Sequence, residues 1–412
     1  MRVVMVDPGA YTPFHDDALC RALVAEGCEV ELVTAPFVYH PWPAPVGYAR
    51  REPFAGGSGG GPGLRGGGAP YGRSAWTRGG RRLCRALSYP LAWGSLARDL
   101  ARKPPDVVHL QWSLLPAVER RALRRLRAAG VRVVQTVHNP RPHGGERSLW
   151  SPWPLAPAGR GLFDEADALV ALSEASGRTL LADHPQLRET LRVIPPGLPA
   201  APLGGPLGGP VARAEARARL GLEGSAPTAL FLGLIRAYKG LDLLLEAFRE
   251  VLRPVPDARL VVAGLPRISF RPFARQIERL GLGERVTTDL RYLPQSAMED
   301  YLAAADLVVL PYRDASQSAV LAAALALDRP VVASSAGGMP EMLEQTADSM
   351  LVTPGDVPAL ARAMSRLLGA RESAAELGRR AGSAARERFT WPRAAASTVQ
   401  LYRELEARSR PA

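Results

Sequence analysis

The chain has 412 residues, enough for two domains of ordinary size, and its 47% hydrophobic content supports full cores. Its 52 basic and 40 acidic side chains leave a net charge of +12, which suits nucleic acid, anionic lipid or a phosphorylated substrate; the abundance of arginine, alanine, glycine and proline fits a GC-rich genome equally well. No run of eighteen uncharged apolar residues occurs, so no membrane-spanning helix is expected. The opening strand MRVVMVDPG lacks the long apolar region of a signal peptide, and a cytoplasmic location is expected. Cys20, Cys28 and Cys84 have neither metal-ligand spacing nor a disulfide pattern, and no metal site is predicted.

In chain order, residues 2–6 and 29–34 read as strands around a helix Asp16–Glu26, a Rossmann-like opening without GxGxxG. Asp16 reads as that helix's cap. Residues 56–68 are too rich in glycine to pack and are expected to form a mobile loop. The basic stretch Arg73–Trp93 mixes Arg with Trp, Tyr and Leu, which suits either a helix on an anionic membrane or a solvated face. Val107–Gln111 and Val131–His138 read as parallel strands joined by a crossover helix Ala117–Ala129, followed by strands Ala168–Leu172 and Leu191–Ile194. The Pro/Gly-rich run that begins at Pro195 reads as a hinge. A second α/β set runs from Thr228 to about Leu368, and Thr390–Arg408 reads as a helix. The division expected is a first Rossmann-like domain over 1–197, a hinge over 198–213, a second domain over 214–389 and a terminal helix over 390–412.

The most informative segment is 311–341. Strand Leu307–Tyr312 feeds a polar loop Arg313–Ser318, a small-residue helix Ala319–Leu327, a strand Pro330–Ser334 and a Gly-Gly turn. That order makes a parallel βαβ unit, with the loop at the carboxyl end of a strand and the amino end of a helix. Free amides and the helix dipole favour an anion there, and Ser316, Ser318 and Ala319 are small enough to admit one.

This unit resembles the donor-binding half of the retaining GT-B glycosyltransferases of the family-4 type. FLGLIRAYKGLDLLLEAF, ARLVVAG, RVTTDLRYLPQSAMEDYLAAADLVVLPY and LVTPGDVPALARAM are similar to the same half; DVVHLQW, VVQTVHNPRPH and ALVALSEAS match the other half more loosely. The resemblance implies an α/β chain of two Rossmann-like domains facing across a cleft, with the C-terminal helix crossing back. It implies transfer of a hexosyl unit from a nucleoside-diphosphate sugar to an acceptor hydroxyl (saccharide, lipid-linked or small molecule), with retention and with no metal or other cofactor.

The same resemblance implies roles for individual residues. Arg236 and Lys239 would neutralise the diphosphate, the alternative being a solvated basic loop. Gly233 and the segment Ser316, Gln317, Ser318, Ala319 and Val320 would hold donor phosphate and sugar. Arg291 and Tyr292 would line the base, and Glu341 would stand near the donor or simply begin a helix. His138 would border the sugar or only hydrogen-bond a neighbouring loop, while Thr12, Gln111 and Asn139 would face the acceptor. One departure is plain. The family carries two glutamates eight positions apart where Ala315 and Ala323 stand, with Asp314 one residue early. The Ser-Gln-Ser tripeptide resembles a subgroup without that pair, and a non-catalytic nucleotide-sugar-binding homologue is the alternative. No helix-turn-helix or basic-aromatic pattern supports a nucleic-acid partner.

Overall fold

The structure, a computed structural model, describes residues 1–37, 39, 44–54, 75–141, 160–199, 213–222, 224–343 and 351–408, with the side chains of 75–87 and 160–161 outside the description. The expected glycine loop and most of the expected hinge lie outside the described residues.

Two parallel sheets carry the fold. The first contains β1 (Arg2–Asp7), β2 (Glu29–Thr34), β3 (Ala49–Arg51), β4 (Val107–Leu110), β5 (Arg132–Val137), β6 (Ala168–Ala171) and β7 (Leu191–Val193), in the order β3-β2-β1-β4-β5-β6-β7. The second contains β8 (Thr228–Leu232), β9 (Arg259–Ala263), β10 (Val286–Asp289), β11 (Leu307–Leu310), β12 (Val331–Ser334) and β13 (Leu351–Val352), in the order β10-β9-β8-β11-β12-β13. Central strands such as β4, β8, β11 and β12 are buried along their whole length, as expected for parallel strands covered by helices on both faces. The short edge strand β3 has no apolar run and was not among the expected strands.

The first helix is Pro13–Ala25, one turn longer at its start than the sequence pattern suggested, because Pro13 has the φ of a first helical residue and needs no amide partner there. Asp16 is therefore inside the first turn and is not the cap. The C-terminal helix, Trp391–Ala407, starts from Thr390, whose side chain accepts the amide of Arg393. It packs on the first sheet, burying Ala395, Val399, Tyr402 and Leu405 against Val3, Met5, Leu19 and Leu23. The crossing back is thus an apolar contact. The tyrosine also anchors it by a 2.6 Å hydrogen bond between its hydroxyl and Nδ1 of His109.

One expectation changes with the packing. In the helix Ala75–Arg102, Tyr89 and Trp93 turn inward onto Phe54, and the Tyr89 hydroxyl donates to Glu119. These two rings belong to the core and cannot serve a membrane surface. No helix among the described residues is long and apolar enough to cross a membrane.

Candidate functional site

The strand orders place the site. In parallel sheets the loops after the strands share one edge, and ligands bind there. Contacts between the lobes frame this edge on both flanks. On one flank Tyr39, after β2, stacks on Tyr292, after β10, with ring centroids 4.5 Å apart and planes 19° from parallel. On the other, Gln317, after β11, donates its side-chain amide to the carbonyl of Leu172, after β6, at 2.5 Å. Between β2 and β6 lie β1, β4 and β5; between β10 and β11 lie β9 and β8. The loops after β1, β4 and β5 therefore face the loop after β8 across the cleft.

On the second lobe, the loop after β8 runs Gly233–Gly240. Gly233 has φ +106°, and a Cβ there would lie 3.2 Å from Cγ2 of Val320 and 3.3 Å from Nζ of Lys239. The glycine, the start of the helix Ala319–Ala326 and the lysine head thus converge on one point. Lys239 is 9% exposed, with its ammonium 5.0 Å from the centre of the Tyr312 ring. Arg236 opens the short turn Ala237–Lys239 and accepts the Lys239 amide on its carbonyl. Arg313 clamps this loop to the one after β11: its guanidinium forms paired bonds of 2.8 and 2.5 Å to Asp242, and its amide donates to the Tyr238 carbonyl.

The polar loop is more enclosed than its composition suggested. Ser316 and Ser318 are 4% and 5% exposed. The Ser318 hydroxyl caps the helix by accepting the Leu321 amide at 3.1 Å. That leaves the amides of Ala319 and Val320 without an acceptor inside the helix, at the end where its dipole is positive. Ala315 and Ala323, where the resemblance would put glutamates, are buried at 6% and 3% exposed. Asp314 is exposed. Arg291 is exposed and held by Asp289, so it lies at the outer edge of the expected base site. Burial under Tyr39 pushes the Tyr292 phenol up to about 12.

Glu341 lies in the first turn of the helix Met339–Leu343 and also reaches out of it. Its carboxylate crosses to the first lobe and accepts the amides of Glu174 and Ala175 at 2.9 and 2.7 Å, at the start of the helix Glu174–Asp183. A carboxylate at a helix N-terminus is favourable on both hydrogen-bond and dipole grounds. Glu341→Ala should weaken lobe closure by about 1–2 kcal/mol, an allowance for charge-assisted bonds at a partly solvated site. Solution X-ray scattering should then show a larger radius of gyration than the wild type; superimposable profiles would remove this contact as a latch.

On the first lobe, Asp7 ends β1 and accepts the amides of Gly9, Tyr11 and Thr12, folding the loop back over the strand end. Asp16 lies behind it, fully buried, with Oδ2 unpartnered. Burial raises both carboxyls, and Asp7 raises Asp16 further. Thr12 accepts the Trp112 indole N–H at 2.9 Å. Trp112 stacks on His138 at 4.5 Å and 8°, and Tyr11 leans on Trp112 at 5.2 Å. The Nε2 of His138 meets Oε1 of Gln111 at 3.2 Å, and Asn139 is exposed beside it. Thr12, Gln111 and His138 thus meet in one wall. Trp112, Tyr11 and His15, which join them, were not singled out from sequence; the Gln-Trp pair directly after a strand end was the available signal.

Burial holds the histidines neutral, with His15 down to about 4, His109 to about 3 and His138 well below its ordinary value. His109 is structural, bonded to Tyr402 and, at 2.8 Å, to Thr136. Between the ordinary 6.5 and the lowered value, the unfolded chain binds the extra proton, so each histidine's contribution is lost as pH falls through that window. The raised Asp7 and Asp16 act oppositely, losing stability as pH rises above 3.8. A single group changes stability by up to about 1.4 kcal/mol per pH unit. His109→Asn should therefore show a smaller drop in melting temperature from pH 7 to pH 5 than the wild type; an equal drop would mean that His109 titrates normally.

Comparison with known proteins agrees with this architecture. A family model described as "Glycosyl transferases group 1" matches residues 226–370, and one described as "Glycosyl transferase 4-like domain" matches residues 17–197. Similar curated proteins include the D-inositol 3-phosphate glycosyltransferase of Segniliparus rotundus, 33% identical over 245 residues that cover 59% of this chain and 53% of that protein. The enzyme of the same name from Geodermatophilus obscurus is 34% identical over 247 residues, 58% of this chain and 52% of that protein. The chain thus spans about half the length of these relatives. Among solved structures, sucrose-phosphate synthase from Thermosynechococcus elongatus has a TM-score of 0.70 at 22% identity, covering 99% of this chain and 100% of that one. HepE of Anabaena, in complex with UDP and glucose, has a TM-score of 0.69 at 18% identity over 98% of this chain and 100% of that one. With both halves matched and both sheets shared with these structures, the chain belongs to the GT-B glycosyltransferases of the group 1, family-4-like type.

Proposed function

We propose that the chain transfers a hexosyl unit from a nucleoside-diphosphate sugar to an acceptor hydroxyl, with retention and without a metal. The observation that carries this reading is the convergence of Gly233, Val320 and Lys239, with Arg236 on the same loop, opposite the first-lobe wall. A flexible, unscreened diphosphate is a poor leaving group. A preorganised ammonium, a guanidinium and the first amides of Ala319–Ala326 stabilise the negative charge that develops on it as it leaves. As the bond from the anomeric carbon to phosphate oxygen breaks, the bond to the acceptor oxygen forms on the same face, and the acceptor proton passes to the departing phosphate oxygen. No side-chain base is needed. The UDP and glucose named with HepE support a nucleotide-sugar donor for this fold.

The test is a thermal-shift panel of nucleotide sugars, since a ligand bound only to the native state raises the melting temperature, and more so the further its concentration exceeds its Kd. One donor should stand out. NMR of its product with any accepted alcohol should show the donor's anomeric configuration. Inversion would overturn the mechanism, and a bound donor with neither transfer nor hydrolysis would favour the non-catalytic homologue that the buried Ala315 and Ala323 suggest.

A further inference from the structure

The first-lobe wall has a chemistry of its own. Tyr11 is 38% exposed, and Trp112 and His138 are half-buried, so each presents part of a ring outward. The rings are fixed. Trp112 is tied by its N–H to Thr12 and lies flat on His138, and His138 is tied to Gln111. His15 meets His138 edge-on at 5.2 Å and Trp391 edge-on at 5.1 Å, bracing the wall from the C-terminal helix. A rigid aromatic surface with a few hydrogen-bonding edges binds a ring through its apolar face. The negative face of the aromatic system attracts the C–H bonds of a sugar or the edge of an aryl group.

Its electrostatics point the same way. A phosphate on the acceptor calls for cations or arginine forks at the wall. Here desolvation lowers the imidazoles of His15 and His138 below their ordinary value, Gln111 cannot carry charge, and the groups buried behind the wall are the carboxyls of Asp7 and Asp16. A dianion laid against this surface would find no compensating charge on Tyr11, Thr12, Gln111 or Trp112, and carboxyls in the layer behind them.

We propose that the acceptor is a neutral ring, a saccharide or an aryl alcohol without a phosphate, laid against Trp112 and Tyr11. This rests on the transferase reading and separates the chain from relatives named for D-inositol 3-phosphate. Trp112 is the specificity-determining residue, and Tyr11 extends its face toward solvent.

The test reads acceptor binding without donor, so that it stands apart from the transferase reading. Calorimetry on the full chain compares p-nitrophenyl glucoside, phenyl ethanol and methyl glucoside with p-nitrophenyl glucoside 6-phosphate and D-inositol 3-phosphate. At least one neutral ring should bind tenfold or more tightly than either phosphate ester, and the aryl and sugar arms identify which ring is preferred. Trp112→Ala should weaken that binding tenfold or more, while Trp112→Phe, which keeps a flat ring, should stay within about threefold. Nucleotide-sugar affinity of the same variants, measured separately, reports whether the second lobe is disturbed. Equal or tighter binding of the phosphate esters would overturn the proposal, as would neutral-ring binding indifferent to Trp112→Ala or lost in Trp112→Ala together with donor affinity. Failure of any nucleotide sugar to bind the wild type would instead count against the transferase reading alone.

Discussion

Lys239→Met and Arg236→Ala should each lower kcat/KM by roughly 2–4 kcal/mol, tens to about a thousandfold, with the fold intact. The lysine is the stronger case. The residue is 9% exposed, and its ammonium lies over the Tyr312 ring and next to Gly233, so its position is set before any donor arrives. A charge that needs no reorganisation acts on the transition state with little screening. Methionine keeps the apolar stem and removes only the head, so that lost packing does not mimic lost catalysis. Arg236 is half-buried on the same loop, and its loss should fall at the lower end of that range. Values of kcat/KM within twofold of the wild type in both variants would remove these residues from the chemistry.

The second large effect is structural and comes with its own control. Gly240 and Gly281 both have φ +68°. A Cβ on Gly240 would collide with the Pro311 carbonyl oxygen, whereas a Cβ on Gly281 would meet nothing within 4 Å. Alanine at either position carries the left-handed backbone cost of roughly 1–2 kcal/mol. Only Gly240→Ala must also push apart the end of β11 and the start of the helix Leu241–Val251, which moves Lys239. Its unfolding free energy should fall by at least about 1 kcal/mol more than that of Gly281→Ala, and donor affinity should fall only in Gly240→Ala. Equal losses in urea denaturation would show that the contact relaxes freely.

These contrasts also mark how far the sequence could be read. The second lobe was legible because its central strands are continuous apolar runs. LVVL and VVAS fold as β11 and β12, separated by a helix whose polar start is visible in the letters. The short β3 was not legible, since three residues paired at a sheet edge need no apolar pattern. The glycine-rich turn after β8 could be recognised as a loop, but its glycines gain meaning only from distant neighbours, Val320 and Pro311. The same holds for the wall. Gln111, His138 and Thr12 were each expected at the cleft, but the stack of Trp112 on His138 depends on the pairing of β4 with β5 and on Thr12 reaching the indole. The bonds of Glu341 to the Glu174 and Ala175 amides were not legible, because a carboxylate in the first turn of its own helix carries no sign in sequence of a second helix start within its reach. Tyr89 and Trp93 look amphipathic among arginines, yet Phe54 draws them into the core.

The central claim is that donor diphosphate sits between the loop after β8 and the start of the helix Ala319–Ala326. A crystal structure with the nucleoside diphosphate of the donor chosen by the thermal-shift panel tests it most directly. Phosphate oxygens should lie within hydrogen-bonding distance of Nζ of Lys239, of the Arg236 guanidinium and of the Ala319 or Val320 amide, with the base toward Tyr292. A diphosphate bound elsewhere, with Lys239 still packed on Tyr312 and untouched by phosphate, would contradict it.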